Sequence, residues 1–204
     1  MDIERSPARD AALDRVLPFV PEAGWTWRAF RRAGVAEGDL LFPGGPGEMI
    51  EAWGDLGDRR MALAAPTAGG AGVAARVRGL VARRLREMRG EKDAARLAAG
   101  WLALPGHQGV ALRSLARTAD AIWHAAGDRA ADASWYSKRA ILAGIYGATL
   151  LVWLGDRDPG EGRALAFLDR RLAGLRRFGA ARARLPVLRV PAAAAGRIAG
   201  PPPG

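Results

Sequence analysis

His107 and His124 are the only imidazoles in the chain, and Asp120 stands one helical turn before the second of them. Groups of this kind could hold a metal or relay a proton. A metal centre needs three or four ligands at characteristic spacings, and neither histidine has the further histidines or carboxylates that would complete one. The chain has no cysteine, which excludes disulfides, thiolate catalysis and cysteine-ligated metals and suits a reducing compartment. Nucleophile-elbow, phosphate-loop and dinucleotide glycine patterns do not occur; "GLRRFGAAR" (174–182) is a helix that carries glycines. These residues point to no enzyme, no cofactor and no metal.

Tryptophan offers a different chemistry. Trp101, Trp123 and Trp153 fall on apolar helical faces together with Leu115, Ala119, Ile141, Leu142, Ile145, Tyr146 and Thr149. A cavity for a long apolar ligand needs such walls and few polar groups, so these residues are the candidate lining. Ala98, Ala99, Gly100, Ala143, Gly144, Gly147 and Ala148 supply small side chains beside them. Two readings stay open. The tryptophans also suit an ordinary core, and the small residues a close helix contact or a dimer seam.

The elements that must position these residues are helices. Apolar residues recur at helical spacing throughout and alternating β-branched runs are absent, so the chain is predicted to be all-α. A first helix is expected over 8–19, ended by Pro18 and Pro21, and a short second one from Thr26 to Gly34. A turn of helix follows over 37–42. The next starts near Pro46, a residue suited to a first helical position, and reaches about Ala64. "APTAGGAG" (65–72) is the expected linker. Beyond it, helices are expected over 73–89, 92–104, 109–126, 134–154 and 162–184. This divides the chain into a small domain (1–65), a larger one (73–184), and a Pro/Gly/Ala-rich tail (185–204) expected to be disordered.

The run "ASWYSKRAILAGIYGATLLVWLGD" (133–156) holds only fourteen consecutive residues free of charge, Ile141 to Leu154. A spanning helix needs roughly 18 to 20, so this one is predicted to be a central, buried helix. The opening residues, MDIERSPARDAALDRV, alternate both charge signs without the apolar core of a secretory signal. The formal net charge is +10, and 29 of the 31 cations are arginines, the lysines being Lys92 and Lys138. Six arginines crowd 76–89 and seven crowd 163–184. A coding bias towards Ala, Arg and Gly accounts for this as well as attraction to something anionic does.

"GWTWRAFRRAGVAEGDLLFPGGPGEMI" (24–50) resembles the N-terminal domain of the TetR family of repressors, with "DLLF" as its recognition helix. The resemblance implies a small helical cluster followed by a larger one that holds a ligand and dimerises. It leaves a ligand-responsive transcriptional regulator as the alternative function. Yet Glu37 and Asp39 occupy the segment that should meet DNA, where phosphates would repel them.

Downstream, "LALPGHQGVALRSLARTADAIWHAAGD" (102–128), "WYSKRAILAGIYGATLLVWL" (135–154) and "FLDRRL" (167–172) resemble the Coq-nine family, accessory proteins of ubiquinone biosynthesis. "PFVPEAGWT", "LLFPGGPGEMIEAW" and "DRRM" (58–61) fit its N-terminal half. The resemblance implies a TetR-repressor-like fold that binds isoprenoid quinone or phospholipid as ligand, forms a homodimer, and engages no nucleic acid. It further implies presentation of quinone intermediates to the di-iron demethoxyubiquinone hydroxylase. Asp120, Ile122, Trp135, Tyr136 and Arg139 match the partner-facing positions. The expected location is cytoplasmic, peripheral to the inner membrane.

Two local expectations complete the reading. The arginine-rich helix over 163–184, with Leu165, Leu168, Leu172, Leu175 and Phe178 on its other face, is expected to turn cations to an anionic membrane surface. Lys138 and Arg139 fall in the first turns of a helix, where the macrodipole disfavours them. An ion pair with Asp128 or Asp132 would offset that, or Trp135 and Tyr136 beside them would be exposed as an aromatic anchor.

Overall fold

The Ser6 hydroxyl accepts a hydrogen bond from the Arg9 N–H at 3.2 Å and Pro7 follows it, so the first helix, α1 (Pro7–Val16), is capped by its own sequence. The computed structural model describes residues 3–64, 72–127, 134–157 and 161–184, with side chains for all of these except 134–136 and 175–184. α1 stops earlier than its periodicity predicts. Pro18 has no N–H to give, and the chain passes through a 3-10 turn (Leu17–Phe19) into a separate α2 (Val20–Ala23) that ends at Gly24.

α3 (Trp27–Arg32) follows; the Thr26 hydroxyl donates to the Ala23 carbonyl at 2.8 Å instead of capping it. α4 (Gly38–Leu41) is a four-residue stub. Gly38 sits so close under Phe30 that a Cβ there would meet its ring at 2.7 Å, which reserves the position for glycine. α5 (Pro46–Leu63) begins at the expected proline. Then come α6 (Val73–Glu87), α7 (Lys92–Leu102), α8 (Gln108–Ala125), α9 (Ser134–Gly155) and α10 (Gly162–Arg184). Every element among the described residues is helical, and the all-α expectation holds.

The chain divides into two units, Met1–Leu172 and Ala173–Gly204. Within the first, α8 packs along both α5 and α9, α6 lies against all three, and α7 lies against α8 and α9. Of the expected linker (65–72), residues 65–71 fall outside the described residues and Gly72 precedes α6, but α5 and α6 on either side pack directly together. Aromatic contacts join the N-terminal helices to the rest. Phe30 meets Phe42 edge-on at 5.4 Å, Trp25 lies 5.3 Å from Trp53, and the two indoles donate to the Ala94 carbonyl and the Glu91 carboxylate.

The arginines of α6 are largely engaged within the fold. Arg78 pairs with Asp169, Arg83 with Glu87 and Arg84 with Asp58, while Arg76 donates to the Ala126 carbonyl. Arg89, just past the helix, pairs with Glu161. On α10, Ala164 and Leu168 are buried and Arg163, Arg170 and Arg171 are exposed. The tail over 185–204 lies outside the described residues.

Arg84 is buried, 3% exposed. Its Nε donates to Asp58 Oδ1 at 3.0 Å, and Thr118 Oγ1 donates to Asp58 Oδ2 at 2.8 Å. One carboxylate therefore ties α6 and α8 to α5. Burial pushes the Asp58 pKa above its ordinary value, with Arg84 and Thr118 pulling against it. Removing one partner of a buried pair leaves an uncompensated charge and costs about 3 to 5 kcal/mol, whereas replacing both with apolar groups often costs less. Arg84→Met should therefore lose about 3 to 5 kcal/mol in urea unfolding, and Arg84→Met/Asp58→Leu should lose less. Because the raised carboxyl gains a proton more readily in the folded chain, the single variant's penalty should be full at neutral pH and shrink as pH falls. A double variant as damaged as the single one would contradict this account.

Candidate functional site

α7 reads KDAARLAAGWL, which places Ala95, Ala98, Ala99 and Leu102 on one face at i, i+3, i+4 and i+7. α8 places Ala111, Ser114, Leu115 and Thr118 at the same spacing. α9 adds Ala143, Gly144, Gly147, Ala148 and Leu151 along one side. These three faces meet without filling the space between them. The result is a cavity of about 450 Å³, closed by Ile50, Trp53 and Gly54 of α5 and by Arg84 and Met88. Its size lies in the range of small-ligand sites, about 300 to 1,000 Å³. Leu151, 66% exposed, stands at its rim.

Polar groups are few and lie together. Arg84, Ser114, Thr118 and Tyr146 are on the wall, with Asp58 behind them. Burial pushes the Tyr146 hydroxyl up to about 12, opposed by Arg84 and reinforced by Asp58, so it is a neutral donor at physiological pH. Among the described residues no cluster of His, Asp or Glu could hold a metal ion. No helix among them is long and apolar enough to cross a membrane.

Of the residues expected to line a ligand site, the wall holds Leu115 and Tyr146. The others lie elsewhere. Trp153, Leu142, Ala119 and Thr149 are buried in the core, Thr149 with its hydroxyl on the Ile145 carbonyl. Lys92 Nζ stands 4.8 Å above the Trp153 ring. Trp101 stacks on His107, centroids 3.6 Å apart, and its ring covers Gly47. Trp123 donates to the Lys138 carbonyl, Ile145 packs against the core, and Ile141 is exposed. The physical reason is that α9 has two apolar faces: Leu142, Thr149 and Trp153 serve the core, while its small residues face the cavity beside Tyr146, Leu150 and Leu151. Six of the seven small residues singled out from the sequence are on the wall; Gly100 is not. Arg84 and Ser114 were missed, the first as one arginine among six.

The partner-facing set is similarly divided. Ile122 has no exposed surface, and Arg139 is 7% exposed with its Nε 2.5 Å from Asp120 Oδ1. Neither side chain is offered at the surface of this chain. His124 Nδ1 also lies 3.2 Å from Asp120 Oδ2. Arg139 thus pairs with Asp120; Asp128 and Asp132 lie outside the described residues, as do the side chains of Trp135 and Tyr136. In the segment that resembles a recognition helix, Glu37 and Asp39 are exposed and Leu40 is 76% exposed.

The all-α fold is of the TetR type. A TetR transcriptional regulator from Nitrosomonas europaea superposes with a TM-score of 0.65 and 25% identity, over 83% of this chain and 98% of that one. The COQ9 family model matches residues 109–179, which include α8 and α9 of the cavity wall. The ubiquinone biosynthesis protein coq9, mitochondrial, of Schizosaccharomyces pombe is 30% identical over 176 residues, 78% of this chain and 66% of that one. The COQ9-A protein of Xenopus laevis, also named a mitochondrial ubiquinone biosynthesis protein, is 43% identical over 76 residues. That stretch is 37% of this chain and 24% of the Xenopus protein, about a quarter of its length. The chain belongs to the COQ9 family.

Proposed function

We propose that this chain is a lipid-binding accessory protein of ubiquinone biosynthesis, and not an enzyme. It takes an isoprenoid quinone intermediate or a phospholipid into the cavity between α7, α8 and α9 and presents it to the demethoxyubiquinone hydroxylase. The cavity carries this reading: it is apolar, α8 and α9 of its wall lie in the stretch that matches the family, and its small residues keep it open. The regulator reading fares worse, because α4 offers carboxylates and an exposed leucine where phosphate contacts need cations.

Solvent extraction of the purified chain followed by mass spectrometry should find quinone-like isoprenoids or phospholipid. Gly144 is on the wall with open space where a Cβ would stand, so Gly144→Phe should place its ring in the cavity and lose most of that lipid. Lipid-free wild-type protein with no affinity for either class would end the proposal.

The chain acts, on this reading, as a homodimer at an anionic membrane surface, reached through cations such as Arg163, Arg170 and Arg171. Sedimentation with anionic vesicles should fall as salt rises and should be slight with neutral ones; indifference to both lipid charge and salt would count against it. Trp135 and Tyr136 are assigned to the hydroxylase contact, since aromatics commonly centre such interfaces. Replacing either by Ala should weaken hydroxylase binding by about 1 to 3 kcal/mol and leave bound lipid in place. Unchanged binding by both variants would remove the assignment.

A further inference from the structure

The corner where α3 turns into α4 carries exposed charges of both signs. Arg28 and Arg31, both exposed, stand at i and i+3 on one side of α3. Glu37, Asp39 and Leu40 are exposed just past the turn, Leu40 at 76%. The two helices are fixed against each other by backbone and core. Gly38 lies under the Phe30 ring, the Val35 N–H reaches the Phe30 carbonyl at 2.9 Å, and Arg15 Nη2 donates to the Ala33 carbonyl at 2.9 Å.

These charges have no counterpart within the fold. Among the described residues, none of Arg28, Arg31, Glu37 and Asp39 takes part in an ion pair, whereas their neighbour Arg32 pairs with Glu22 at 2.8 Å. Asp39 accepts only the Leu40 N–H, at 3.1 Å. A cationic strip, a leucine and an anionic strip therefore lie side by side on a rigid corner. Nucleic acid or an anionic bilayer would be drawn to α3 and repelled by α4. A basic partner would meet the reverse. The surface that satisfies both strips carries the same two signs in the opposite order, and this chain presents one.

We infer that the α3–α4 corner docks on the same corner of a second copy of this chain about a two-fold axis. Each copy's Arg28 and Arg31 face the other's Glu37 and Asp39, and the two Leu40 side chains meet near the axis. Such an isologous contact is self-complementary and closes on itself. Two short helices bury far less than the roughly 1,200 Å² of a stable interface, so the contact is weak, and it doubles whatever assembly the larger helices form. It depends on neither the cavity nor its ligand.

Sedimentation equilibrium of the full chain over a concentration series tests this with two charge-reversed variants, Arg28→Glu/Arg31→Glu and Glu37→Arg/Asp39→Arg. All four positions are exposed, so both variants should keep the wild-type far-UV circular dichroism. The wild-type mass should rise with concentration towards twice that of either variant. Each variant alone should associate about 10-fold or more weakly, because like charges then face each other. Mixed in equal amounts, the two variants should regain the wild-type mass, a rescue that no folding defect produces. Leu40→Ser should weaken association by about 10-fold and regain nothing on mixing with either variant. Equal masses for the wild type and both charge variants, or a mixture that stays at the variants' mass, overturns the contact. A short DNA duplex bound by the wild type and lost by the arginine variant overturns it too, and returns the corner to nucleic acid.

Discussion

Arg84 crosses α5 directly over Gly57, so closely that a Cβ on that glycine would stand 2.5 Å from the guanidinium carbon. That approach lets the arginine reach Asp58 and the Gly54 carbonyl, while Thr118 occupies the other Asp58 oxygen from α8. Desolvating two charges costs several kcal/mol apiece, and only good geometry offsets it. Here the carboxylate is satisfied on both oxygens. The consequence is positional: an ion pair tolerates far less sliding than an apolar contact, so α5, α6 and α8 are held in one register.

Emptiness has its own cost, because atoms lining a void lose contacts on one side. The chain tolerates this through where it puts its size. α9 turns Leu142, Tyr146, Thr149 and Trp153 inwards, all at most 3% exposed, and leaves glycine and alanine on the neighbouring side. Gly147 is already tight, since a Cβ there would meet both methyls of Leu115 at 3.3 Å. Gly144, one helical turn earlier on the same side, has open space before it. One helix thus closes the core along one face and holds the cavity open along another.

The N-terminal helices share the outline of the TetR-type fold. Phe30, Phe42 and Gly38 still fix the turn between α3 and α4, but the exposed side of α4 is acidic and apolar. Buried Arg9 shows where cations in this region go: it lies 4.5 Å over the Phe42 ring and pairs with Glu48 at 2.6 Å. Much the same is true of α6, whose arginines meet Asp58, Glu87 and Asp169. A net charge of +10 therefore overstates what the described surface of α6 offers to an anion.

Helical class, the Pro46 start of α5, the extents of α8 to α10 and the family all follow from the sequence, because periodicity, proline position and motif strings are local properties. The small-residue faces were legible too, although not whether they close together or stand apart. That distinction depends on how far neighbouring helices are held from one another, which no single helix encodes. The same limit hid Ile122 in the core, gave Arg139 to Asp120, and drew the tryptophans away from the wall. It also hid Arg84. On paper Arg84 is one of six cations in a basic helix, and only a carboxylate 26 residues away and a glycine that lets it pass make it the buried centre of the cavity's polar corner. Long-range pairing of charges and the sizing of a void are decided by the assembled helices, since both are properties of the distance between elements.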